Sequence, residues 1–400
     1  MTPAPSANFS PPSHRAPLAP SFGRFRIVSR WSARLLLGAF AGFVHLVGAP
    51  DAELDNHRGA QLFGWEALAS WSQTASNQTE ITLVSPEIVP AFEWDELVAS
   101  WNAETPAGSG LRIEARPLAE GRATRFRVLG LWSSDPARHP RESVRGQQDE
   151  DGEVLTDTLA LKRPWPRAQL RCTLVKGENG VAPRLTWIGV SVIQTRAAPP
   201  PLPPTRAAWG KTLPVPERSQ VSYPGGETAW CSPTCVSMVL AYWAGQLGRP
   251  ELDRDVPEVV QGVQDPVWGG TGNWPFNTAF AGALPRMRAY VARLTDISEL
   301  EDWVLAGVPV VVSLSYDILR GKPQREAGDG HLVVCVGFTA EGDPVVNDPG
   351  TRLNVRKTFP RANLAAAWAH SHQTVYIVMP RERLPPADRF GHWHGGGAKP

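Results

Sequence analysis

Four cysteines occur in the 400 residues, at positions 172, 231, 235 and 335, and one of them stands where a thiol can become a nucleophile. Cys231 precedes Ser232-Pro233-Thr234 at the head of an apolar stretch, 233–244 (PTCVSMVLAYWA), which reads as a helix. Ser232 suits its N-cap, Pro233 its first turn and Gly245 its end. The free amides and dipole of a helix start lower a thiol pKa, and the thiolate is the attacking form. A thiolate of this kind needs a basic partner, and the partner needs an orienting group. His331 opens the apolar run HLVVCVGF (331–338) after a Gly/Asp-rich loop, and Asn347-Asp348-Pro349 closes the next run, PVVNDP (344–349). If the two runs are adjacent antiparallel strands, His331 and Asp348 lie at one end of a sheet. Asp348 would then hold one ring nitrogen and leave the other for sulfur. Taken singly, His331 reads as a satisfied strand-end histidine and Asp348 as a turn former before proline. The chain order of Cys, then His on a strand, then Asp on the next strand is the more specific signal. Cys235, one turn further along the helix, reads as core, and Cys172 as a small buried residue within a strand. The four cysteines are too sparse for a disulfide scaffold and lack the paired spacing of a structural zinc site. The chemistry calls for no metal or organic cofactor.

Two kinds of chain surround these residues. From about 79 to 195 the pattern is that of β-strands: LRIEARP (111–117), FRVLGLW (126–132), EVLTDTLAL (153–161), AQLRCTLV (168–175) and LTWIGVSVI (185–193). Their period-two alternation and intervening turn residues predict a β-sandwich or jelly roll over residues 51–196. AAPPPLPP (197–204) then breaks the chain, and 197–210 reads as an extended, semi-rigid linker. Residues 211–385 mix helices and strands. ISELEDWVLAG (297–307) reads as a second helix, opened by a Ser298–Glu301 capping box. VPVVVSLS (308–315) and TVYIVM (374–379) read as further strands, and RANLAAAWAHS (361–371) as a helix. Trp268, Trp274 and Phe276 lie in a Gly-rich stretch and either line a cleft or plug the loop onto the core. Residues 386–400, with His392 and His394, read as a loose tail.

The segment QVSYPGGETAWCSPTCVSMVLAYWAG (220–245) resembles the nucleophile segment of bacterial peptidase family C39-like cysteine peptidases, the bacteriocin-processing type. GHLVVCVGF (330–338) looks like their histidine strand, VVNDP (345–349) like their Asp turn, and GTGNWPFNTA (270–279) like a motif of their secreted two-domain branch. The resemblance covers about 211–380. Residues 92–195, with SWNAETPAG at 100–108, look like the β-domain that precedes the peptidase-like domain in that branch. The resemblance implies an α+β chain in which an N-terminal β-sandwich or jelly-roll domain is followed by a papain-like domain. It implies Cys231 as nucleophile, His331 as base, Asp348 as orienting acid and Gln220 as oxyanion donor, although Gln220 stands eleven residues before Cys231, a longer gap than is usual. Peptide or protein substrates follow. The transporter-fused members' leader substrate does not, because no transporter helices or phosphate-binding loop accompany the motifs.

Lys and Arg number 40 against 39 Asp and Glu, so no broad basic face exists for a nucleic-acid role. Residues 1–23 read as disordered. Arg24, Arg26, Arg30 and Arg34 then precede an apolar run, Leu35 to Val47, too short to cross a membrane. With Gly48-Ala49 behind it, the run reads as a secretory signal peptide, so 1–50 form a tail plus leader. Val28 is a candidate alternative start. The expectation is a secreted or cell-envelope thiol hydrolase whose mature chain has no integral membrane segment. Two other readings stay open: a catalytically inactive relative whose β-domain contacts cell-surface carbohydrate or protein, and an acyl transferase using the same triad.

Overall fold

A computed structural model describes residues 57–227, 229–324 and 329–395; the tail and leader expected over 1–50 lie outside the described residues. Eleven strands come first: β1 (Ala60–Trp65), β2 (Ser72–Ser76), β3 (Glu80–Val84), β4 (Trp94–Glu104), β5 (Gly110–Ala119), β6 (Arg122–Ala123), β7 (Arg127–Trp132), β8 (Gly152–Leu155), β9 (Thr158–Trp165), β10 (Arg167–Val175) and β11 (Arg184–Ile193). They form two sheets, one ordered β1-β11-β4-β9-β8 and the other β2-β3-β10-β5-β6, with β7 also on β5. Alternation decides which side faces in. Along β10, Ala168, Leu170, Cys172 and Leu174 are buried while Arg167, Gln169 and Arg171 stay partly exposed. Each large apolar side chain so buried is worth ~1.5–3 kcal/mol. All seven tryptophans of this unit, Trp65, Trp71, Trp94, Trp101, Trp132, Trp165 and Trp187, are buried, so its surplus of aromatic area belongs to the core.

The stretch EVLTDTLAL is two strands rather than one. Thr156 takes a positive φ of 60° and turns the chain at Thr156-Asp157 into the β8–β9 hairpin. The turn is fixed from outside, because Asp157 accepts the Trp274 backbone N–H at 2.7 Å.

The second unit holds α1 (Cys231–Leu247), α2 (Val256–Val263), α3 (Trp274–Ala283), β12 (Met287–Arg293), α4 (Ile297–Leu305), β13 (Val310–Ser315), α5 (Tyr316–Leu319), β14 (Gly330–Phe338), β15 (Pro344–Asn347), β16 (Arg356–Thr358), α6 (Arg361–Ala369) and β17 (Thr374–Pro380). Its sheet runs β12-β17-β13-β14-β15-β16, antiparallel throughout. Helix α1 is apolar on every side and buried from Ser232 to Ala244. It docks on the sheet through Trp243, whose Nε1 donates to the Val378 carbonyl at 2.8 Å.

Three helix boundaries differ from the expectation. Trp230 is the N-cap of α1, since the Ser232 hydroxyl pairs with Tyr376 at 3.0 Å instead of capping, and Gly245 is internal. The helix ends on Gly248, whose φ of 62° a side chain would resist. In α4 the capping box is Asp296–Glu299 rather than Ser298–Glu301. Glu301 is buried and accepts from Thr205 N at 2.6 Å, Trp209 Nε1 at 2.7 Å and Arg361 Nη1 at 2.5 Å. The Pro-rich stretch is thereby fastened along α4, with Leu202 N donating to Asp296 at 3.1 Å.

Of residues 386–400, expected to form a loose tail, the described ones, 386–395, add a strand instead. Asp388 accepts from the His392 and Trp393 N–H groups at 2.8 and 3.1 Å, and β18 (Trp393–Gly395) pairs in parallel with β1. His392 is buried against Glu299 at 3.0 Å, and Trp393 packs on Trp303.

The two units meet along β12. Its backbone groups are capped by side chains of the first unit: Val291 N donates to Ser100 at 2.8 Å, Arg293 N to Ser191 at 3.2 Å, and Asn102 bonds both N–H and carbonyl of Ala289. These bonds satisfy an edge that would otherwise stay open. Beside them Phe276 of α3 sits 6.2 Å from Trp101 and 5.4 Å from Trp132, ring centre to ring centre.

Candidate active site

Cys231 is the first residue of α1 and is partly exposed, whereas Cys172, Cys235 and Cys335 are buried. Burial pushes the thiols of those three up. Burial also raises Cys231, but the hydrogen bond and charge of His331, together with the backbone amides of Leu332 and Ser232, carry it below the usual thiol range.

β14 and β15 are adjacent and antiparallel, with Val334 opposite Asn347. This register brings His331, near the start of β14, to Asp348, just past the end of β15. His331 Nε2 donates to Asp348 Oδ1 at 2.8 Å, so Nδ1 is the nitrogen left for Cys231, with which His331 also hydrogen-bonds. Asp348 has no exposed surface. Its Oδ1 also accepts from Gly350 N at 2.9 Å, and its Oδ2 from Tyr316 OH at 2.8 Å and Lys357 Nζ at 3.1 Å. Burial raises its carboxyl, but these donors, His331 foremost, hold it well below the ordinary carboxylate range. Burial lowers the imidazole, and Asp348 and Cys231 outweigh that and push it up to about 9. Both shifts favour a thiolate beside an imidazolium.

Gln220 is buried in a short 3-10 turn, and its N–H donates to the Pro349 carbonyl at 3.0 Å, which ties it to the Asp348 turn. Its Oε1 is buried with no hydrogen-bond partner. Cys231, His331 and Asp348 are therefore one cluster, with Gln220 fixed beside it.

Three further residues belong to the cluster. The Tyr316 ring lies 4.2 Å from the His331 ring, on the same residue whose hydroxyl reaches Asp348. Lys357 comes from β16, next to β15. A Cβ on Gly350 would fall 3.1 Å from His331 Cε1, so any larger residue would press on the imidazole and make it give by a few tenths of an ångström. No spacing in the sequence marks Tyr316 or Lys357, since the start of α5 after β13 and the β15–β16 pairing deliver them; the glycine after Asp348-Pro349 is the one readable signal. Phe276 is core and Trp274, partly buried, packs against it, whereas Trp268 is partly buried and outside that core.

Two sheet-built units make up the described residues, the second with a thiol, an imidazole and a carboxylate in one cluster. The sequence model of the Peptidase C39 N-terminal domain matches residues 69–192, and that of the Peptidase_C39 like family matches 212–376. The chain belongs to the C39-like peptidase family, with a domain in each of these regions. No curated protein matches it. Among solved structures it is similar to a candidate C39-like peptidase from Bacillus anthracis, at 19% identity over 43% of this chain and 98% of the other, with a TM-score of 0.34. Among the described residues no helix is long and apolar enough to cross a membrane.

Proposed function

We propose that the protein is a cysteine peptidase with a papain-like site that hydrolyses peptide or protein substrates. The observation that carries this reading is the cluster itself: a partly exposed thiol at a helix start, hydrogen-bonded to an imidazole that a buried carboxylate holds at 2.8 Å. The Cys231 thiolate attacks the amide carbonyl and forms a C–S bond. His331, as imidazolium, gives its proton to the leaving nitrogen as the C–N bond breaks. Neutral His331 then takes a proton from water, whose oxygen attacks the thioester; the C–S bond breaks, releasing the acid and regenerating the thiolate beside the imidazolium. Asp348 keeps the imidazole in place and charged. Gln220 and a backbone N–H at the start of α1 are read as donors to the oxyanion, each such donor being worth ~10²–10³ in rate.

Family membership supports peptide substrates. The burial of every tryptophan in the N-terminal domain speaks against the alternative of a carbohydrate platform there. The leader-like residues before position 50 support secretion, which N-terminal sequencing of exported protein checks.

The test is alkylation by iodoacetamide near neutral pH with mass-spectrometric mapping. Selective modification of Cys231, lost in Cys231→Ala and slowed in His331→Ala, is expected, with peptide hydrolysis following the same order. Equal slow modification of all four cysteines would sink the reading.

A further inference from the structure

The Gly-rich loop 265–274 takes no part in the chemistry above, yet it joins three parts of the molecule. From the N-terminal domain, buried Arg141 donates to the Gln261 carbonyl at 2.5 Å and the Gln264 carbonyl at 3.3 Å. Ser143 N donates to buried Asp265 at 3.2 Å. Asp265 in turn folds the loop, accepting from Trp268 N at 3.0 Å and Asn273 Nδ2 at 3.1 Å. At the far end of the loop, Asp157 on the β8–β9 turn holds Trp274 N at 2.7 Å. Between these anchors Thr271, 2% exposed, donates its hydroxyl to the Ala229 carbonyl at 2.7 Å, two residues before Cys231. Asn277 of α3 fixes Thr271 itself, donating to its carbonyl at 2.8 Å.

The segment so held needs an external support. Trp230, the N-cap of α1, makes no side-chain capping bond. The 229–230 peptide sets the direction from which the chain turns into the helix, and hence where sulfur points.

We propose that residues 265–274 form a coupling loop through which the N-terminal domain fixes the approach to Cys231, with Thr271 as a positioning residue and Asp157 as its anchor in the other domain. The inference rests on the reading of Cys231 as nucleophile. It gives the N-terminal domain a share in the reaction that does not depend on contact with substrate. A misplacement of about 1 Å can cost on the order of 100-fold in rate, so one lost bond at Ala229 is enough to matter.

The test is the pH dependence of Cys231 alkylation by iodoacetamide in the full chain. Thr271→Val removes the hydroxyl at nearly constant shape. It should slow alkylation at pH 7 about tenfold and move the thiolate midpoint upward, and Thr271→Ser should recover both. Asp157→Ala should act in the same direction by about threefold or more, with Asp157→Asn, which keeps an acceptor for Trp274 N, recovering it. Circular dichroism of each variant confirms folding, and the Ser and Asn variants keep the test decisive where a harsher one unfolds. A selectively reactive Cys231 that is indifferent to residues 271 and 157, or losses that Ser and Asn fail to recover, would overturn the coupling. A wild-type Cys231 no more reactive than the other cysteines would instead remove the nucleophile reading beneath it.

Discussion

Asp348 reaches no solvent, and its two oxygens accept four hydrogen bonds. A carboxylate so held cannot rotate, and it transfers that fixity to His331. The sign of the pH dependence follows. His331 is raised to about 9 in the folded protein, above the ~6.5 of an unfolded chain. Its charge therefore contributes stability below about pH 6.5 and loses it as pH rises through about 9. Asp348 works in the opposite sense, contributing above the usual carboxylate range and losing its share as pH falls through its depressed value. The alkaline limb of kcat/KM is accordingly expected near pH 9. Asp348→Asn takes the charge away from the imidazolium, so the limb should move down. The rate at pH 7 should fall roughly 10- to 100-fold, the equivalent of a ~1.5–3 kcal/mol charged hydrogen bond. A pH–rate profile checks both, and an unmoved limb would count against Asp348 as the orienting group.

At the scale of elements, the decisive feature is the tight turn after β15. Gly350 gives Asp348 its amide and passes close to His331 because it has no Cβ. Gly350→Ala would place a methyl 3.1 Å from the ring and 3.2 Å from Asp348 Oδ1, so the imidazole must shift. A loss of kcat of about tenfold with KM little changed is expected, and steady-state kinetics read it. Much of this architecture is legible in residue order. Strands rich in apolar residues and bounded by turn residues, such as β5, β10 and β11, announce themselves, as does the helix that begins at Cys231. What escapes is whatever tertiary contact decides. The β8–β9 turn has no glycine, only Thr156 at a positive φ, and its Asp157 is held by another domain. Helix α3 hides in a Gly-, Pro- and aromatic-rich stretch that looks like loop, its N-cap being Asn273 and most of its surface buried. The Cys, His and Asp residues can be paired from chain order, whereas Tyr316 is brought to Asp348 by the start of α5 after β13 and Lys357 by the β15–β16 pairing.

For the whole molecule, the two domains share one apolar core. Phe276 packs on Trp101 and Trp132, and β12 has its free edge capped by Asn102, Ser100 and Ser191. Neither face is fit for solvent by itself. The domains should therefore unfold in a single denaturant transition, and Phe276→Ala should destabilise both by ~3–5 kcal/mol. Tryptophan fluorescence and far-ultraviolet circular dichroism should give coincident curves; a domain that melts separately and ignores the substitution would contradict the shared core. The last strand adds a matter of timing. β18 closes the open side of β1 with residues 393–395, while β1 itself starts at residue 60. On the ribosome β1 emerges more than 300 residues before the strand that covers it. During that interval the edge of β1 is bare, the condition in which nascent strands mispair with one another. Synthesis rate and chaperone supply thus bear on the yield of this protein through the late arrival of one short strand.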